Sequence, residues 1–111
     1  MSGSGGGGGG GGLDRAQTSC ETLTDTTVLN SPNSSVVPSL KKGDVLTLAA
    51  RPSGNSVIVE ARQGNRVAGS ITSAIIQRLI ECMKQGHEYV AEVLENAQGG
   101  ACKVFIHHKP K

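Results

Sequence analysis

The chain has 111 residues, three cysteines, one tyrosine, one phenylalanine, no tryptophan and a formal net charge of +2. A chain of this size supports one small domain, whose core must be built from Val, Ile, Leu and Ala. The odd cysteine count argues against a disulfide-dense secreted scaffold, the apolar runs are too short for a membrane-spanning helix, and the weak positive charge permits nucleic acid as a partner without demanding it.

Residues 1–12 read MSGSGGGGGGGG. Glycine has no side chain to bury and loses the most backbone freedom on ordering, so this stretch reads as a flexible linker, either native low complexity or an appended spacer. Residues 13–39 are rich in Ser, Thr, Asn and Asp. The expectation is a disordered tail over 1–39, with one short strand near 24–29, where Thr26, Thr27 and Val28 are β-branched, and a single folded domain over 40–109. The chain opens with no basic region followed by an apolar run, so a soluble cytoplasmic or nucleoid-associated protein is expected.

Within the dense part, residues 45–50 alternate, with Leu46 and Leu48 on one face and Val45 and Thr47 on the other, as a strand requires. A second strand over 56–61 places Val57, Val59 and Ala61 opposite Ile58 and Glu60. Gly64 offers the tight turn into a third strand over 67–71. Then the period changes. Thr72 reads as an N-cap, Ile75, Ile76, Leu79, Ile80 and Met83 form an amphipathic stripe with Cys82 at its edge, and Gly86 ends the helix. Strands over 87–94 and 101–107 follow, separated by a turn at Gln98-Gly99-Gly100. Tyr89, Ala91 and Val93 share one face of the first. Cys102, Val104 and Ile106 share one face of the second, opposite Lys103, Phe105 and His107. The order β-β-β-α-β-β implies an α+β fold: a small bent antiparallel sheet or partly open β-barrel with one main helix. The last strand, apolar and near the terminus, is expected at an exposed edge.

The arrangement resembles the HIRAN domain, a small β-barrel-like module of some DNA-repair helicases and standalone prokaryotic proteins. The resemblance runs over about residues 43–106. It is carried by Arg51-Pro52 at the end of the first strand, Asn55 in the following loop, the apolar step at 57–59, Gly64 with Arg66-Val67-Ala68-Gly69-Ser70-Ile71, the helix with Leu79, and Gly86 followed by Tyr89-Val90-Ala91-Glu92-Val93. The family's Val-Gly step before the helix is here one residue looser. The resemblance implies binding of the free 3′ end of single-stranded DNA. The family's pocket uses a Tyr-Asp pair where this chain has Arg51-Pro52-Ser53-Gly54-Asn55-Ser56, so only Arg51 and Asn55 carry over.

The basic residues form two groups, Arg51, Arg62 and Arg66 near the tight turns, and Lys103, His107, His108, Lys109 and Lys111 at the end of the chain. Together they would make a phosphate-binding patch, with Tyr89 or Phe105 to stack on a base. The leading expectation is therefore a non-catalytic nucleic-acid-binding module for single-stranded DNA, DNA ends or another nucleic acid, using Arg51, Asn55, Arg62, Arg66, Tyr89 and Lys103. The alternative is a protein-interaction or oligomerisation module, with a homodimer or protein partner joined through the last strand. A weaker third reading is a small hydrolase or metal-dependent enzyme. No enzyme chemistry is expected, because Asp44, Glu60, Glu88, Glu92 and Glu95 are scattered and neither Ser70 nor Ser73 has a His nearby in the sequence. No cofactor or metal is expected, because Cys20, Cys82, Cys102 and the histidines lack zinc-ligand spacing. Cys82 and Cys102 read as buried inert thiols and Cys20 as a free one, with a Cys20–Cys102 disulfide only in an oxidising compartment.

Overall fold

The structure, a computed structural model, describes residues 19–96 and 101–110. In chain order its elements are β1 (Asp25–Val28), β2 (Val45–Ser53), β3 (Ser56–Gln63), β4 (Arg66–Ile71), α1 (Ile76–Lys84), β5 (Tyr89–Asn96) and β6 (Cys102–His108). The strands form one antiparallel sheet in the order β1-β6-β5-β2-β3-β4. The fold is the small α+β domain with one main helix that the alternation of residues implied.

The sheet curls until its two ends meet. Just after β1, Asn30 exchanges a pair of backbone hydrogen bonds with Ser70 of β4, each 2.9 Å. Asn33 continues along β4, its amide donating to the Ala68 carbonyl at 2.8 Å. Inward-facing side chains of every central strand then share one core: Leu46 and Leu48 of β2, Val59 and Ala61 of β3, Tyr89, Ala91 and Val93 of β5, and Val104 and Ile106 of β6. Helix α1 adds Leu79, Ile80 and Cys82 to it.

Four expectations need correction. First, residues 19–39 are not a tail: Cys20, Leu23, Leu29 and Val36 are all buried in the core, and only the short strand was foreseen there. Composition averaged over that segment is polar, but its few apolar side chains are spaced so that each meets the core. Residues 1–18, the expected turn at Gln98-Gly99-Gly100 and Lys111 lie outside the described residues. Second, β6 is not an edge strand, because β1 and β5 pair with its two sides. Third, Thr72 does not cap the helix. Its hydroxyl accepts from the Asn30 side-chain amide, while Ser73 Oγ accepts from the Ile75 amide at 3.2 Å just ahead of α1. Fourth, Cys20 and Cys82 form a disulfide with Cα atoms 5.7 Å apart, so Cys82 is not a thiol and Cys102 is the free, buried one. Burial pushes the Cys102 thiol pKa up, which keeps it in the inert protonated form.

The disulfide fastens the start of the described chain to α1. A second tie is the buried Tyr89 hydroxyl, which donates to the Cys20 carbonyl at 2.6 Å. No helix among the described residues is long and apolar enough to cross a membrane.

Candidate functional site

Adjacent strands β2 and β3 put Arg51, Glu60 and Arg62 on the outer face of the sheet. Glu60 faces outward by strand alternation yet is only 7% exposed, because two guanidinium groups cover it. Arg51 Nε donates to Glu60 Oε2 at 2.6 Å, and Arg62 donates from Nη2 to Oε1 at 2.7 Å. The hydrogen bond from Arg62, then that from Arg51, hold the Glu60 carboxyl below its ordinary range against the opposing effect of burial. Two cations on one carboxylate leave a net positive charge. Arg51 engages Glu60 through Nε, which leaves its two terminal nitrogens without a protein partner among the described residues.

The lowered Glu60 pKa has a consequence for stability. The folded state holds the ionised carboxylate more tightly than the unfolded chain does. The gain is present above the ordinary value of about 4.5 and is lost as the pH falls through the lowered value. Both arginines are well exposed, so water screens the interaction and the expected contribution is about 1 kcal/mol. Urea unfolding of wild type and Glu60→Gln over a series of pH values from 7 downward checks this: the difference at pH 7 should shrink as the pH falls below about 4.5.

Two depressions adjoin this cluster. One, of about 230 Å³, is lined by Ser31, Arg51, Ile58, Glu60, Val67, Gly69 and Ser70. The other, of about 600 Å³, lies between α1 and the β2–β3 hairpin, with Asn55, Ile58, Ser70, Ile76, Ile80 and Lys84 among its walls. Ile58 and Ser70 belong to both, so the two form one groove. Its helix wall follows from spacing: Ile76, Ile80 and Lys84 recur every four residues on one side of α1. Arg51 stands at one end and Lys84 at the other, with an apolar floor between them. Ser31, on the rim, holds a positive φ of 47°, a conformation a non-glycine residue rarely adopts.

The expected site residues separate in space. Arg51 and Asn55 line the groove. Arg62 stands beside them on Glu60. Arg66 sits at the β3–β4 turn, where Nη2 donates to the Ser35 carbonyl at 2.6 Å. Tyr89 cannot stack on a base, because its ring faces inward and is fully buried. Lys103 is exposed on β6, three strands from β3 around the curled sheet. Lys103 therefore stands apart from the Arg51 and Arg62 cluster, and Lys111 lies outside the described residues. On β6, Phe105 stacks on His107, and His107 Nε2 lies 4.0 Å from Glu92. Two residues of the site were missed. Glu60 stands in the sequence only as one of several scattered carboxylates, although Arg62, two along the same strand face, is a visible partner. Lys84, on the polar side of the helix, carries no signal in the sequence that sets it apart from the other exposed helix residues.

Among the described residues, no group of three or more His, Cys, Asp or Glu side chains is placed to hold a metal ion. Comparison with known proteins finds no matching family model, no matching curated protein and no matching solved structure.

Proposed function

We propose that this domain is a non-catalytic nucleic-acid-binding module, HIRAN-like in kind, which takes a single strand or a DNA end in the groove between α1 and the β2–β3 hairpin. One observation carries the reading: Arg51 and Asn55, the two positions that the resemblance singles out, line adjoining halves of one groove. Arg51 and Lys84 supply cationic contacts to phosphates at its two ends. Asn55 offers an amide to a base edge or a sugar hydroxyl. Ile58, Ile76 and Ile80 give the ring of a base or sugar an apolar floor. The groove has no aromatic side chain, so phosphate contacts rather than stacking carry the affinity. The proposed setting is the cytoplasm or nucleoid.

Fluorescence anisotropy with labelled single-stranded DNA, blunt duplex DNA and single-stranded RNA tests this at about 50 and 200 mM salt. Two phosphate contacts on a single strand correspond to a salt slope of about −1.4, hence a roughly sevenfold loss of affinity between those concentrations. Arg51→Ala should weaken binding and flatten that slope by about half, while Lys103→Ala leaves both unchanged. A free 3′-hydroxyl preferred over a blocked one supports end recognition. No saturable binding at low salt, or equal loss from Arg51→Ala and Lys103→Ala, refutes the proposal.

A further inference from the structure

Just beyond the C-terminal end of α1 lies a pair of imidazoles that the groove does not use. His87 Nδ1 and His108 Nε2 lie 3.1 Å apart, with ring centroids separated by 5.3 Å. They open onto a depression of about 440 Å³ bounded by Glu21, Gln85, Gly86, Glu88, Lys109 and Pro110. We propose that His87 and His108 form a two-imidazole binding site for a divalent transition-metal ion such as Zn²⁺.

The backbone fixes the pair. Gly86, at φ +101°, ends α1 in the left-handed conformation. The amide of His87 donates to the Cys82 carbonyl and that of Gly86 to the Met83 carbonyl, both at 3.1 Å, the paired closure of a Schellman motif. His87 is thereby set directly beyond the helix. His108 is the last residue of β6, in register with Tyr89, and the Tyr89 ring packs edge-on against it at 5.3 Å. One further strand-like bond, from the Lys109 amide to the Glu88 carbonyl at 2.8 Å, locks the two ends together.

The spacing suits chelation. Zinc–imidazole bonds are about 2.0–2.1 Å long, so two nitrogens on one ion lie about 2.9 Å apart at a right angle and about 3.3 Å apart at the tetrahedral angle. The observed separation falls between these values. Without an ion the two nitrogens share a proton. Binding an ion requires the donor ring to take its other neutral tautomer, the proton passing through water to its second ring nitrogen, so that both facing nitrogens present lone pairs. The protein supplies two ligands, and water from the open depression completes the shell. Lys109 does not stand free against the cation, because its Nζ lies 3.3 Å from Glu88 Oε1. Glu21, on the rim, adds a negative charge, and the neighbouring Cys20–Cys82 disulfide holds it in place.

Isothermal titration of the full chain with Zn²⁺ alone tests the site. One ion per chain is expected, with a fall in affinity of about tenfold or more in His87→Ala and in His108→Gln. His107→Ala, on the outer face of β6, should bind as wild type does. Imidazole resonances of the wild type, followed by NMR during the same titration, give a readout independent of any variant: His87 and His108 should shift together and His107 should not. Absence of binding, unchanged affinity in His87→Ala, or a shift centred on His107 overturns the proposal. None of these outcomes depends on whether the groove takes a nucleic acid.

Discussion

Breaking the Cys20–Cys82 disulfide, by reduction or in the double variant Cys20→Ser with Cys82→Ser, should lower the unfolding free energy by about 4 kcal/mol. The bond joins residues separated by 62 positions. A cross-link over that span removes much of the freedom of the unfolded chain, and this loop-closure entropy is the source of the estimate. Small domains have only about 5–15 kcal/mol in all, so the loss is a large fraction of the total. The effect is also local. Cys20 and Leu23 reach the core, and with the covalent tie gone the 2.6 Å bond from the Tyr89 hydroxyl to the Cys20 carbonyl is left to hold that turn. Urea unfolding with and without dithiothreitol measures the loss, and limited proteolysis near Cys20 reports the release. An unchanged midpoint under reduction would show that packing alone holds the segment. Disulfides persist in oxidising compartments. In a reducing cytoplasm the same domain would operate without this contribution, much closer to its unfolding threshold.

The second large effect is expected at Gly69. A Cβ built on this residue would lie 2.9 Å from the Asn30 carbonyl oxygen and 3.2 Å from Leu29 Cβ. The first obstacle is backbone, and it belongs to the bridge that joins the two ends of the sheet. Gly69→Ala must therefore push residues 29–30 away from β4 or strain both, at a cost of about 2 kcal/mol. Hydrogen exchange would locate the damage: the amides of Asn30 and Ser70, paired across that closure at 2.9 Å, should lose protection before those of β5 and β6. Uniform protection with no loss of stability would show that the closure yields without penalty. Gly69 also lines the groove beside Arg51, so any ligand there should bind less tightly to this variant. The resemblance placed Gly69 in the step before the helix. The reason it must be glycine is a chain segment about forty residues earlier, passing directly over it.

Much of this protein follows from local pattern. Alternation in residues 45–61 and 87–107 determined the strands and their inward faces, since a strand shows every second side chain to the core. The change of period at Ile75 and the glycine at position 86 determined the helix and its end. What the sequence could not decide were relations between distant segments. Polar composition hid the packing of residues 19–39, because burial depends on where Cys20, Leu23, Leu29 and Val36 land rather than on how many apolar residues surround them. Strand order placed β6 inside the sheet, since β1 came from the segment read as a tail. It also kept Lys103 apart from Arg51 and Arg62, and the inward pleat removed Tyr89 from any surface. The pairing of Cys20 with Cys82, the covering of Glu60 by two arginines and the meeting of His87 with His108 were likewise decided only by folding. Spacing along a chain governs which side chains share a face, whereas strand order and sheet curvature govern which faces meet.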